Sequence, residues 1–122
     1  MTTNSLQFGR VRVIAISVLD LERANKFYTQ TLGLPPAYEE KEQVGYLIGE
    51  TILTLKNWDQ PPVQNPNPRI TFETDDARET ERVLRSRGVV ISDPVEIYDR
   101  THAVGSFLDT EGNKIWFCSY VG

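Results

Sequence analysis

The strongest constraint on this chain is that it carries one short plan twice. Arg12-Val-Ile-Ala-Ile-Ser-Val-Leu-Asp20 leads into a helix-like stretch that closes at Leu32-Gly33. Arg69-Ile-Thr-Phe-Glu-Thr-Asp-Asp76 leads into another that closes at Arg87-Gly88. The two capping aspartates lie about 56 residues apart, so a strand, an Asp, an amphipathic helix and a terminal Gly recur as one duplicated unit. A chain built this way folds as two copies of one supersecondary module.

Periodicity fills in each copy. Val11 to Val18 alternates, which puts Ile14, Ile16 and Val18 on one side and Val13, Ala15 and Ser17 on the other. Asp20 is a suitable N-cap, Leu21, Ala24, Phe27, Tyr28, Thr31 and Leu32 form one helical stripe, and Gly33 ends it. Strands are predicted at Ala37 to Glu40, Gln43 to Ile48 and Thr51 to Lys56, with tight turns at Lys41-Glu42 and Gly49-Glu50. The second copy repeats the plan: Ile70 and Phe72 face the helix, and Arg69, Thr71 and Glu73 face away. Asp76 and Glu79 form a capping-box-like start, Ala77, Thr80, Val83 and Leu84 make the stripe, and Gly88 closes the helix. Val89 to Ile91, Val95 to Tyr98, Ala103 to Leu108 and Lys114 to Tyr120 supply the remaining strands, the last preceded by the turn Asp109-Thr-Glu-Gly112-Asn113. Each half reads βαβββ. The modules are expected at about residues 9–57 and 69–121 of a single domain spanning 1–122, joined by a proline-rich linker at about 57–68.

At 122 residues, 39% hydrophobic and 25% charged, the composition is that of a soluble globular domain. No apolar run nears the ~20 residues of a membrane span, and the polar start Met1-Thr-Thr-Asn-Ser-Leu-Gln lacks a signal-peptide core. A lone Cys118 allows no internal disulfide and suits a reducing compartment, so a cytoplasmic protein is expected, with no membrane partner. A net charge of −4 without a dense basic cluster gives no footprint for nucleic acid.

Three segments carry a resemblance to a known family: Val18-Leu-Asp20-Leu-Glu-Arg-Ala-Asn-Lys-Phe27-Tyr28, then Leu32-Gly33-Leu34, then Phe107-Leu-Asp109-Thr-Glu-Gly112-Asn113-Lys-Ile-Trp-Phe117. With the strand–Asp76–helix–Gly88 of the second half, the chain resembles the vicinal oxygen chelate superfamily of glyoxalases, bleomycin-resistance proteins and extradiol dioxygenases. The resemblance implies an α+β fold of two βαβββ modules whose mixed sheets curl into a cup, commonly completed by dimerisation. Metal-dependent members place His, Gln or Glu at four cup-facing positions. By register these fall on Val13, Thr54, Arg69 and Trp116. Val has no lone pair, Arg is cationic and donor-only, and the indole N–H does not coordinate. The expectation is therefore no metal site and no cofactor.

Several residues have two readings. Arg69 is an anion anchor in the cup or a solvated arginine at a strand's edge. Trp116 floors the cup or is plain core, since Ile115 and Phe117 leave both sides of its strand apolar. His102 is a rim acid/base or a solvated loop residue beside Asp99-Arg100-Thr101. Tyr46, Trp58 and Tyr98 are aromatics that reach the cup if their strands and the linker turn them inward; Trp58 otherwise pins the linker or meets a second subunit. Cys118 reads as a buried, inert thiol. The reading that follows is a metal-free small-molecule-binding protein, holding a small ligand, aromatic ones included, in a cup at a homodimer interface lined by Val13, Thr54, Arg69, Trp116, Tyr46, Trp58, Tyr98 and His102. The alternatives are a metal-independent lyase or isomerase using His102 or Glu73 as acid/base, a metal-dependent glyoxalase-like enzyme if the register is displaced, and a scaffold whose cup is filled.

Overall fold

The computed structural model describes residues 6–121; the polar start at residues 1–5 lies outside them. The first module runs β1 (Val13–Ser17), α1 (Leu21–Lys26), β2 (Pro36–Glu39), β3 (Glu42–Ile48) and β4 (Thr51–Lys56). The second runs β5 (Thr71–Glu73), α2 (Ala77–Ser86), β6 (Val90–Tyr98), β7 (His102–Leu108) and β8 (Lys114–Tyr120). Each builds a four-stranded mixed sheet, ordered β1-β4-β3-β2 and β5-β8-β7-β6. The first strand of each module pairs in parallel with the last, and the other pairings are antiparallel. The duplicated plan predicted from sequence is the fold.

The caps act as expected. The Asp20 carboxylate accepts from the Arg23 N–H at 3.0 Å, and Asp76 accepts from Arg78 and Glu79 at 3.1 and 3.2 Å. Glu79 does not close a capping box, because its carboxylate is taken by Arg82 one turn on. Gly33 and Gly88 adopt φ of +67° and +78°, the left-handed conformation that ends a helix.

Three local readings are corrected. The stripe after Lys26 continues as a π-helical turn, Phe27–Thr31, in which the Leu32 N–H donates to the Phe27 carbonyl at 2.9 Å. The wider turn lets the adjacent Phe27 and Tyr28 both enter the core, 4% and 0% exposed. The two strands predicted at 89–91 and 95–98 are one bulged strand, β6; Pro94 is tolerated because β6 is at the sheet's edge. The β2–β3 turn sits on Glu40-Lys41, both at positive φ, one residue earlier than expected.

One core serves both modules. Phe27 beside α1 meets Phe107 of β7 at 6.3 Å between ring centres, and Phe107 meets Phe117 of β8 at 6.1 Å. Gly105 makes room for this stack: a Cβ there would lie 3.0 Å from the Phe117 ring and 2.9 Å from a Val95 methyl. The helix-bearing faces of the two sheets are thus buried against one another. Their other faces are left outward.

The Asp109–Asn113 turn locks this arrangement. Glu111 accepts from the Leu19 and Asp20 N–H groups at 2.9 and 2.7 Å and from the Arg23 guanidinium at 2.8 Å. Tyr28 donates to Asp109 at 2.7 Å, and the Asn113 amide donates to the Ser17 carbonyl at 2.8 Å. Burial alone would raise the Glu111 pKa, its side chain being 1% exposed. The Arg23 guanidinium and the converging N–H and Thr110 hydroxyl donors outweigh burial and hold it at about 2, from an ordinary 4.5. A carboxylate depressed in the folded state stabilises the fold above its unfolded pKa and loses that contribution as pH falls through the folded one. Chemical denaturation is expected to show stability declining from about pH 4.5 towards pH 2. Glu111→Gln should lose roughly 2–3 kcal/mol at neutral pH and flatten that decline.

Candidate functional site

The outward face of the second sheet is assembled by strand register. Trp116 on β8 lies between Thr71 of β5 and Ser106 of β7, and Ser106 is opposite Asp93 of β6. One level along, Cys118 lies between Glu73 and Val104, with Glu96 beyond; at the far end stand Tyr120, His102 and Tyr98. Ile115 and Phe117 point the other way and are 1% and 2% exposed, whereas Trp116 is only partly buried. Trp116 is therefore a surface of the open face and not core.

Charge is organised around that indole. The Arg69 guanidinium carbon lies 4.1 Å from its ring centre and the Lys114 ammonium 4.6 Å from it. Lys114 is anchored by Asp93 at 2.7 Å, and Asp93 also accepts from the buried Ser106 hydroxyl at 2.5 Å. The Lys114 ammonium, the Ser106 hydroxyl and, less strongly, the Arg69 charge hold the Asp93 carboxyl below its usual range. Asp93 and Ser106 were missed from sequence. Their involvement depends on a bulge in β6 that brings Asp93 opposite Ser106, and no periodicity announces it.

The first sheet contributes a plainer face. Val13 is opposite Ile52 and Ala15 opposite Thr54, with Val13 44% exposed. The Thr54 hydroxyl is spent on the Val44 carbonyl at 2.7 Å. Of the residues predicted for the cup, Arg69, Trp116, Tyr98 and His102 share the second sheet's open face, while Val13 and Thr54 share the first's.

One predicted site residue, Tyr46, turns away from the open face. Tyr46 is 2% exposed on the helix side of β3, its ring 5.8 Å from Tyr28 and its hydroxyl bonded to Asn25. One residue of strand parity separates it from the open face, and apolar character alone did not reveal which side it takes. It borders, with Asn25, Thr29 and Gln43, a 510 Å³ hollow beside α1 within the first module. Trp58 stands in the loop after β4, half-exposed, and makes no aromatic contact among the described residues. His102 is not in a loop but opens β7, where it stays exposed; its Nδ1 is 2.8 Å from the Thr101 hydroxyl and its ring edge-on to Tyr120. Cys118 is partly exposed on the open face and not buried.

The superfamily profile described as Glyoxalase/Bleomycin resistance protein/Dioxygenase matches residues 10–117, nearly the whole chain. The chain belongs to this superfamily. Solved structures agree in fold. A superfamily member from Sphaerobacter thermophilus DSM 20745 is 23% identical with a TM-score of 0.74, over 93% of this chain and 99% of that one. TnmS3, an antibiotic-binding protein from Streptomyces sp. CB03234, is 24% identical with a TM-score of 0.74, over 96% and 100%. A lactoylglutathione lyase from Agrobacterium tumefaciens is 17% identical with a TM-score of 0.71, over 93% and 96%.

Curated sequences of another kind also match. A glyoxysomal malate dehydrogenase from Citrullus lanatus is 36% identical over 64 residues, 52% of this chain, and the mitochondrial enzyme of Homo sapiens is 29% identical over 114 residues, 90% of this chain. The chain spans only 18% and 34% of those proteins. A dinucleotide fold needs a glycine-rich G-x-G-x-x-G turn and a doubly wound parallel sheet. This chain has no G-x-G, and each of its sheets has a single parallel pairing, so the likeness carries no dehydrogenase reading.

Within the superfamily, the donors at the four metal positions do not fit a divalent ion. Val13 offers no lone pair, Arg69 lies on the Trp116 indole with Lys114 beside it, and two cations at that point repel a third. Among the described residues no group of three or more His, Cys, Asp or Glu side chains is disposed to hold a metal. Trp116→Ala is expected to destabilise by about 1–2 kcal/mol, against roughly 3–5 for Phe117→Ala in the core. Urea unfolding of the two variants checks the assignment; equal losses would return Trp116 to the core.

Proposed function

We propose that this member of the superfamily is a metal-free small-molecule-binding protein whose ligand lies in a cup built by two copies of the chain. The observation that carries the reading is the open face of the second sheet: a partly exposed indole with a guanidinium stacked on it, where relatives that use a metal need ligands. The outward face of the first sheet, with Val13, Ala15 and Thr54, supplies the opposite wall from a partner copy. Two features support the pairing. β1 and β5 are both edge strands whose free sides pair with no other strand among the described residues. The helix-bearing faces are already buried in the shared core, so the two open faces cannot close on each other within one chain.

The enzymatic alternative lacks a comparable observation. His102 is exposed at the end of its sheet, tied to Thr101 and Tyr120, and Glu73 lies on another strand, with no hydrogen-bonded partner linking the two among the described residues. Light scattering at micromolar concentration is expected to give twice the 13.9 kDa chain mass, and elemental analysis of the same sample no stoichiometric Zn, Ni, Mn or Fe. A stable monomer, or one bound transition metal per chain, would overturn the reading.

A further inference from the structure

We infer that the ligand carries one oxyanion, a carboxylate or a phosphate, on a flat apolar body, and that Arg69 and Lys114 receive the oxyanion beside Trp116. This rests on the binding reading above and specifies its chemistry. The chain has 17 acids to 13 bases, and Arg12, Arg23, Arg82 and Arg85 each sit on a carboxylate. Arg69 does not. Among the described residues its guanidinium makes no hydrogen bond and no ion pair; it lies over the indole, near enough to Asp93 for its charge to act on that carboxylate. With no carboxylate bonded to it, the N–H fork that matches an oxyanion is left unengaged by the described residues.

Lys114 brings a second cation to the same ring. Arg69 and Lys114 stand side by side, each two residues before the paired Thr71 and Trp116. Two like charges at one aromatic are mutually repulsive. Asp93, at 2.7 Å from Lys114, offsets one of them, and a net positive charge remains on this part of an otherwise acidic protein. An oxyanion offsets the other. The partly exposed Trp116 beside it offers a flat apolar surface for the body of the ligand.

The far side of the face restricts the ligand to one anionic end. Glu73 lies four residues along from Arg69, roughly 13 Å at strand spacing, and Glu96 stands at the same level across the sheet. A long polyanion tracking the sheet runs from the cationic end into these acids.

The test is isothermal titration of the full chain with four compounds sharing one ring system: 2-naphthoate, 2-naphthyl phosphate, 2-naphthylmethanol and 2-naphthylmethylammonium. The oxyanions are expected to bind roughly tenfold or more tightly than the alcohol, the ammonium compound weakest, and the preference to shrink as salt is raised. The tighter of the two oxyanions identifies the carboxylate or phosphate source. Arg69→Gln and Lys114→Met should each reduce the preference, Arg69→Lys should keep part of it, and Arg82→Gln on α2 should leave it unchanged. Circular dichroism of each variant confirms that folding is intact. If the alcohol binds as well as the oxyanions, or the preference survives both Arg69→Gln and Lys114→Met, the oxyanion assignment falls while the binding reading stands. If none of the four binds the dimer, both fall.

Discussion

The arrangement of this molecule depends on a buried carboxylate. Glu111 sits in the turn before β8, yet every donor it collects outside that turn belongs to the first module: the Leu19 and Asp20 N–H groups and the Arg23 guanidinium. Those N–H groups lie at the entry of α1, where a helix start presents unpaired donors and a positive dipole end. Asp20 caps part of that entry from within, and Glu111 completes it from the other module. The cost of burying a charge is met by converging donors, which is why the group stays ionised in a nearly water-free position. With Tyr28–Asp109 and Asn113–Ser17 alongside, the contact sets which faces of the modules meet.

That choice has a functional consequence. Modules joined through their helix faces turn their other faces outward, so the two surfaces proposed to make the cup are both unclosed within one chain. Val13 and Trp116 are therefore as exposed as they are because of a turn on the opposite side of the sheets. The clamp and the site are on different faces. A lesion in the clamp acts on stability and on the relation of the modules, while a lesion at Arg69 acts on the open face alone.

Much of this was legible in the residues because the signals were redundant. The duplicated strand–Asp–helix–Gly string, alternation along the strands, and Gly33 and Gly88 at the helix ends all favour one topology, and a consistent set of local preferences is what specifies a fold. Alternation from Arg69 to Glu73 places both on the outward face. It failed where one residue in a strand decides everything. Tyr46 and Trp116 are both aromatics in apolar strands, yet one is core and the other open, because each side of such a strand accepts an aromatic. The π-helical turn at Phe27 and the bulges in β6 insert a residue's worth of displacement that no pattern of period 2 or 3.6 encodes. Glu111 was invisible for a different reason: a carboxylate in a turn reads as solvated until the chain from 88 positions away comes to meet it.

The two halves have diverged in a way that the shared fold makes comparable. At matching levels the first sheet presents Val13, Ala15 and Thr54, the last with its hydroxyl already committed to the backbone. The second presents Arg69, Trp116, Lys114 and Asp93. The cup we propose would have one neutral, small-residue wall and one charged, aromatic wall, and would discriminate by different means on its two sides. The small wall would set the space, since it has little to offer except contact. The charged wall would set orientation, because a guanidinium and an ammonium over one indole favour a single direction of a ligand's dipole. In that reading the orienting charge comes from one module only, carried by side chains that the sheet's own register and the Asp93–Lys114 pair hold in place.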